Sequence, residues 1–266
     1  MVQHRPEGPG HVEVEAKIGQ LKGKTSGQRV QLPVLVETSE RLRISDLPVI
    51  DTCAPRQFLH QTRIHGFESN MTAIQHKHYN TLLNGLKTTP PQPGFPISPL
   101  EYTHLRLVDN FYQTENPREK EKIRVTRDEK TGTVHACMRK IRLGSLDIYS
   151  PKRAVDWRIS VNMEVPVNPP VGTPTHTRRK DRLSYSHEEF IIDLTQVTST
   201  SGPNSKPEIL HELELELARP EYLLSTASKR GDLNVSEPER SAFDELIRAF
   251  VNNARILVRN AGDGWQ

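Results

Sequence analysis

HVEVEAKIGQL, residues 11–21, alternates apolar and charged side chains with a period of two. In a strand, residues two apart share a face, which puts Glu13, Glu15 and Lys17 on one side and Val12, Val14, Ala16 and Ile18 on the other. HELELEL, residues 211–217, repeats the pattern near the far end of the chain, with Glu212, Glu214 and Glu216 opposite Leu213, Leu215 and Leu217. Carboxylates spaced ~6.5–7 Å along one strand repel, and such a row is costly unless cations stand among them. For one isolated strand the plainest reading is the solvated face of an amphipathic sheet.

Other strand segments supply those cations. In DWRISVNMEV (156–165), Arg158, Ser160, Asn162 and Glu164 share a face, while Trp157, Ile159, Val161, Met163 and Val165 fill the other. Arg124 with Thr126, Lys140 with Arg142, Lys180 with Arg182 and Ser184, and Asp193 with Thr195 follow the same rule. The polar faces together carry the acids Glu13, Glu15, Glu164, Asp193, Glu212, Glu214 and Glu216. They also carry the bases Lys17, Arg124, Lys140, Arg142, Arg158, Lys180 and Arg182. A sheet with one charged and one apolar face can close on itself with either face inward. In one closure helices cover an apolar outside and the charges line a tunnel. Periodicity alone does not choose between the two.

The rest of the chain supplies a sheet with few helices. Further strands are expected at 29–37, with Pro33 at an edge or bulge, and at 101–114, 121–128, 133–143, 154–165, 180–186, 189–197 and 209–218. DEKTG (128–132) is a hairpin turn between two of them. Helices are expected across 55–87, the first opened by Pro55 and the second capped by Ser69, and across 236–258, where Ser236 and Glu239 form a capping box. Proline-rich loops fall at 89–99, 166–178 and 198–207. Residues 1–10 read as a flexible leader and 11–266 as one catalytic domain; the 266-residue length suits a single large β fold. No alternation of strand and helix suggests βαβ units.

Bulk composition narrows the class. A mean hydropathy of −0.63 is polar for a globular chain, as expected if charge lines an interior. The net charge of +3 is too balanced for nucleic-acid binding by field alone. Cys53 and Cys137 form neither a disulfide framework nor a zinc pattern. No run approaches the ~20 apolar residues of a membrane span.

Clustered carboxylates favour hard, oxygen-seeking cations such as Mg²⁺ or Mn²⁺. Arginine and lysine opposite them suit phosphate oxygens, the one as a bidentate fork and the other as a point charge. A site with both calls for a polyanion that carries a metal: a nucleoside triphosphate, an RNA 5′-triphosphate or polyphosphate. A metal held by Glu13, Glu15 and Glu216 would neutralise charge on a transferring phosphoryl group, and Glu164 could orient the attacking water. GQLKGKT (19–25) lacks the spacing of a P-loop, so a helix–loop phosphate cradle is excluded. His76 and His78, two apart on a helix, face away from each other and make a poor metal pair.

EVEAK (13–17) paired with ELELE (212–216) resembles the metal-binding motifs of the triphosphate tunnel metalloenzymes. IRVTRDEKTG (123–132), YSPKRAVDWRISVNMEVPV (149–167), RRKDRLSYS (178–186), IIDLTQV (191–197) and HELELEL follow in the order of the fungal mRNA 5′-triphosphatase branch. The resemblance implies a closed antiparallel eight-stranded β-barrel, a triphosphate tunnel with flanking helices, in the mainly β (α+β) class. It implies hydrolysis of the γ-phosphate from triphosphate-ended pre-mRNA with Mg²⁺, and of free nucleoside triphosphates with Mn²⁺ or Co²⁺. By position, Glu13, Glu15 and Glu216 would hold the metal, and Arg124, Lys140, Lys180 and Arg182, with Arg158, would grip phosphate. Glu164 would position water, while Asp193, Thr195, Glu212 and Glu214 would brace the wall.

As partners the resemblance implies triphosphate-ended RNA, a second copy of the chain in a homodimer, the mRNA guanylyltransferase and the phosphorylated RNA polymerase II tail. It implies a nuclear location and no membrane. The arm that recruits the guanylyltransferase in some members precedes the first strand, and these residues do not carry it. Ile191 stands where budding-yeast-type members place an arginine, which removes one cation from the wall. Tunnel enzymes acting on inorganic triphosphate and non-catalytic RNA- or polymerase-tail-binding barrels are the competing readings. The KDRLSY and IDLT segments count against the first, and the intact carboxylate set counts against the second.

Overall fold

A computed structural model describes residues 10–40, 65–89, 98–114, 121–202, 205–262 and 265. The strands are β1 (His11–Gly23), β2 (Thr38–Glu40), β3 (His65–Glu68), β4 (Glu101–Tyr112), β5 (Ile123–Asp128), β6 (Val134–Tyr149), β7 (Asp156–Pro166), β8 (His176–His187), β9 (Phe190–Thr200) and β10 (Glu208–Leu217). The helices are α1 (Ala73–Thr88), α2 (Pro220–Lys229) and α3 (Glu237–Arg259). Neighbours run β10-β9-β8-β4-β5-β6-β7-β1, and β1 pairs back onto β10, so eight antiparallel strands close a barrel. Closure removes the exposed edges that an open sheet of this size would present.

The tertiary structure settles which face is inside. Val12, Val14, Ala16 and Ile18 of β1, Trp157 of β7, Leu194 of β9 and Leu213, Leu215 and Leu217 of β10 are buried in one cluster. Tyr79 and Leu83 of α1, Leu223 of α2, and Leu246, Phe250, Ala254 and Leu257 of α3 belong to that same cluster. The hydrophobic core therefore lies between the barrel's outer surface and the helices. Each fully buried leucine or valine contributes about 1.5–3 kcal/mol there. The charged face is left to line the interior, and two-sided burial of this kind explains low hydropathy in a folded chain.

Several boundaries differ from the sequence expectation. Residues 31–37 form no strand. Pro33 has no N–H to donate, Val34 N–H turns back to Leu32 O at 2.8 Å, and Leu35 and Val36 are exposed. Residues 65–68 are strand rather than helix, because their backbone pairs with Gln20–Gly23 at the end of β1. Thr72, not Ser69, caps α1: Gln75 N–H donates to Thr72 Oγ1 at 3.3 Å and Thr72 N–H to Gln75 Oε1 at 2.8 Å. The cap moves along the chain because Met71 N–H is bonded to His211 O at 2.9 Å, which ties residues 70–71 to β10. The first expected helix from Pro55, Cys53 and the leader's first nine residues lie outside the described residues.

Strands β6 and β8 outrun their expected spans, continuing to Tyr149 and beginning at His176. α3 starts as expected: the Glu239 carboxylate accepts from Ser236 N–H at 3.2 Å and from Ser236 Oγ at 2.7 Å. α2 was not anticipated, although Pro220 at its first turn and Glu221 behind it are start signals. Among the described residues no helix is long and apolar enough to cross a membrane.

Candidate active site

β1 and β10 meet with Glu15 opposite Glu216 and Lys17 opposite Glu214. That register gathers the carboxylates of Glu13, Glu15 and Glu216, each offering an oxygen within 4.8 Å of the others. Asn162 of β7 donates from Nδ2 to Glu13 Oε2 at 2.8 Å and to Glu15 Oε1 at 3.2 Å, which fixes their orientation. Lys140 of β6 reaches over β7 to pair with Glu13 and, at 3.6 Å, with Glu15.

Cations and anions interleave around the rest of the wall. Lys17 pairs with Glu214 and lies 3.8 Å from Glu15. Arg182 bridges Asp193 at 2.5 Å and Glu214 at 3.4 Å, and its Nε donates to Thr195 Oγ1 at 3.2 Å. Lys180 pairs with Asp109 at 2.5 Å, and Arg124 with Glu164 at 2.8 Å. Arg178 pairs with Glu212 at 2.9 Å, apart from the three clustered acids. Arg158 is also apart, its Nη2 donating to Asp147 Oδ2 at 2.9 Å and its guanidinium lying 4.9 Å from the Phe67 ring centroid. The structure thus gathers Glu13, Glu15, Glu216, Lys140, Arg124, Glu164, Lys180 and Arg182 around one space. It sets Glu212 and Arg158 beside it.

Enclosure tunes these groups unequally. Burial alone would raise the Glu214 carboxyl, but Lys17 and Arg182 overcome it and hold the group well below the usual carboxylate range. Burial lowers Lys17 and Lys140 as well, and in both the adjoining glutamates reverse the direction and raise them. Lys180 stays below the ordinary lysine value, because burial outweighs the pull of Asp109. Burial raises two acids of the wall: Asp193, in spite of its Arg182 partner, and Glu216. No ion pair reaches Glu216 among the described residues. Burial, reinforced by the carboxylates of Glu214, Asp193 and Glu13, pushes it up to about 8. Ile191 of β9 sits directly opposite it in register, so its cross-strand neighbour is apolar.

A carboxyl forced to keep its proton beside two further carboxylates suits a divalent cation, which would replace the proton and supply the missing positive charge. An all-oxygen donor set fits Mg²⁺ or Mn²⁺ and disfavours soft metals.

Sequence reasoning missed several interior acids, Asp109 and Asp147 among them. Asp109 is fully buried, accepting from Lys180 and, at 2.6 Å, from Thr126 Oγ1. Its strand, EYTHLRLVDNFY, carries apolar residues on both faces and shows no clean alternation. Asp147 was hidden because a register shift between Arg142 and Gly144 reverses the inward phase of β6 beyond that point. Arg142 itself is exposed.

A closed barrel whose charged interior sets a carboxylate trio among Arg124, Lys140, Lys180 and Arg182 is the architecture of a tunnel phosphohydrolase. Residues 1–263 match the family described as mRNA capping enzyme, beta chain, and the chain belongs to that family of RNA 5′-triphosphatases. It is 37% identical over 251 residues to the mRNA-capping enzyme subunit beta of Schizosaccharomyces pombe, a match covering 94% of this chain and 74% of the relative. The subunit of the same name from Cryptococcus neoformans is 32% identical, covering 95% of this chain and 58% of the relative. The solved structure of S. pombe Pct1 RNA triphosphatase superposes with a TM-score of 0.77 at 34% identity, over 95% of this chain and 86% of that one. Pct1 has also been solved in complex with the Spt5 CTD, with a TM-score of 0.78 to this chain.

Proposed function

We propose that this chain removes the γ-phosphate from triphosphate-ended nascent pre-mRNA in the first step of cap formation, as one catalytic domain over residues 11–266. Water forms a bond to the γ-phosphorus, the bond to the β–γ bridging oxygen breaks, and a diphosphate-ended RNA and inorganic phosphate leave. The observation that carries this reading is Glu216: a half-buried carboxyl in no ion pair among the described residues, beside Glu13 and Glu15. When bound by these three, a Mg²⁺ ion supplies charge neutralisation at the transferring phosphoryl group. Mn²⁺ or Co²⁺ in its place supports hydrolysis of free nucleoside triphosphates.

The chain's own groups do the remaining work. Arg124, Lys140, Lys180 and Arg182 stand around the same space and grip the β- and γ-phosphate oxygens. Each is held by an acid of the wall, so little side-chain entropy is lost on binding. Glu164 orients the attacking water; Arg124 fixes one of its oxygens, and His11 lies 3.4 Å from the other. Asp193 and Thr195 aim Arg182, while Glu214 stations Lys17 and Arg182 on the wall. Glu212 anchors Arg178 and Asp147 anchors Arg158, which makes both acids braces at the margin of the site.

The surroundings of the reaction follow from the family. A nuclear location, a homodimer and contact with the guanylyltransferase suit a capping subunit, and the Pct1 complex with the Spt5 CTD supports a further protein partner. The test is phosphate release from triphosphate-ended RNA with Mg²⁺, repeated with chelator and with Glu216→Ala. Release by the unmutated chain, lost in both controls, supports the reading; absence of metal-dependent release refutes it.

A further inference from the structure

β1 changes partners along one edge. It pairs with β10 at Glu15–Lys17 and then with β3 at Gln20–Gly23. The inward phase Glu13, Glu15, Lys17 continues to Gly19 and Leu21, because the register with β7 is unbroken from His11 to Gly19. Phe67 stands opposite Leu21 and His65 opposite Gly23, so both occupy this same inward phase. Gly19 has no side chain because β3 crosses its place. A Cβ there would lie 2.1 Å from Glu68 O and 2.9 Å from Phe67 Cζ. Arg158 stacks on the Phe67 ring at 4.9 Å and is held by Asp147, whose carboxylate lies 3.7 Å from His65 Nε2. His65 is 5% exposed, and neither ring nitrogen has a hydrogen-bond partner among the described residues. Beyond Lys17, then, the inner wall of β1 meets packed side chains rather than open tunnel.

We infer that Phe67, backed by His65 and Arg158, is a stop that sets which phosphoanhydride bond is cut. This rests on the proposed triphosphatase reading and adds a cause for its regiochemistry. All three phosphates present non-bridging oxygens, so the cations that grip β and γ can also hold α and β. A barrier to further sliding keeps the terminal phosphorus beside the carboxylate trio and the water. With the barrier gone, the chain advances by one phosphate. Water then bonds to the β-phosphorus and the α–β bridging oxygen departs with the α-phosphate, its electron pair taking up a proton. The products become a monophosphate and pyrophosphate in place of a diphosphate and phosphate. A capping enzyme needs a diphosphate end, so the stop protects the usable product.

The test uses the full chain with ATP and Mn²⁺, separating ADP from AMP by anion exchange and detecting pyrophosphate through a coupled pyrophosphatase. The unmutated chain is expected to yield ADP and phosphate only. Phe67→Ala is expected to divert about one turnover in ten to AMP and pyrophosphate, the scale on which an ill-fitting pocket loses discrimination. Phe67→Leu, which keeps the packing, is expected to divert a smaller share and serves if the alanine variant does not fold. Pyrophosphate released by the unmutated chain overturns the inference. So does a folded, active Phe67 variant that yields ADP and phosphate alone. A chain that cleaves no triphosphate at all refutes the proposed function instead, and the two failures are distinct.

Discussion

Lys17 is the residue whose removal best tests the account of the tunnel wall. Its ammonium pairs with Glu214, itself 5% exposed, and flanks Glu15, which is 2% exposed. Lys17→Met keeps the length of the side chain and deletes the charge. Breaking a buried pair by removing one partner costs about 3–5 kcal/mol, because the other charge is left uncompensated. Glu214 retains Arg182 at 3.4 Å, which places the expected loss at the low end, about 3 kcal/mol. For a chain of this size that corresponds to a fall of about 8 °C in thermal midpoint.

The pH dependence follows from the direction of the Glu214 shift. A carboxyl held below its unfolded value contributes stability above that value and loses it as pH falls through the folded one. Removing Lys17 lets Glu214 rise, so the gap between variant and unmutated chain is widest at neutral pH and narrows on acidification as the variant's Glu214 takes up a proton that the unmutated chain's does not. Thermal melts of metal-free protein at pH 7.5 and pH 4 measure it. Adding Glu214→Gln to the variant should recover more than half of the loss, since it removes the stranded charge. A midpoint within 1 °C or so of the unmutated chain at pH 7.5, or a gap that survives acidification unchanged, would refute the reasoning.

Three further outcomes are expected. Because Glu216 is pushed up to about 8, it keeps a proton that the unfolded chain releases near 4.5. Metal-free stability should therefore decline as pH rises between these values, and Mn²⁺ binding at pH 7 should release about one proton, seen by calorimetry in buffers of different ionisation heat. Glu216→Gln should abolish that release. Glu164→Gln should lower kcat about 100-fold and leave KM within about threefold, as steady-state phosphate release would show, because it disturbs the water rather than the phosphate grip. Leu215→Ala should cost about 3 kcal/mol in denaturant unfolding while the turnover of each folded molecule is kept, because that side chain packs outside the barrel.

The sequence by itself determined the alternation, and with it the two faces. Glu13, Glu15, Lys17, Glu214 and Glu216 were legible because a strand's period of two is a local property of the backbone, readable from five residues. The capping box of α3 was legible for the same reason, since its two partners stand three residues apart. Tertiary structure alone decided that the charged face turns inward, because that outcome depends on α1, α2 and α3 supplying enough apolar surface to cover the other side. It alone revealed Asp147, whose inward direction depends on a register shift several residues earlier. It alone separated Arg158 and Glu212 from the eight groups around the central space, and it alone placed Phe67 across Gly19. Those are contacts between segments far apart in the chain, and no local pattern encodes a distance of that kind.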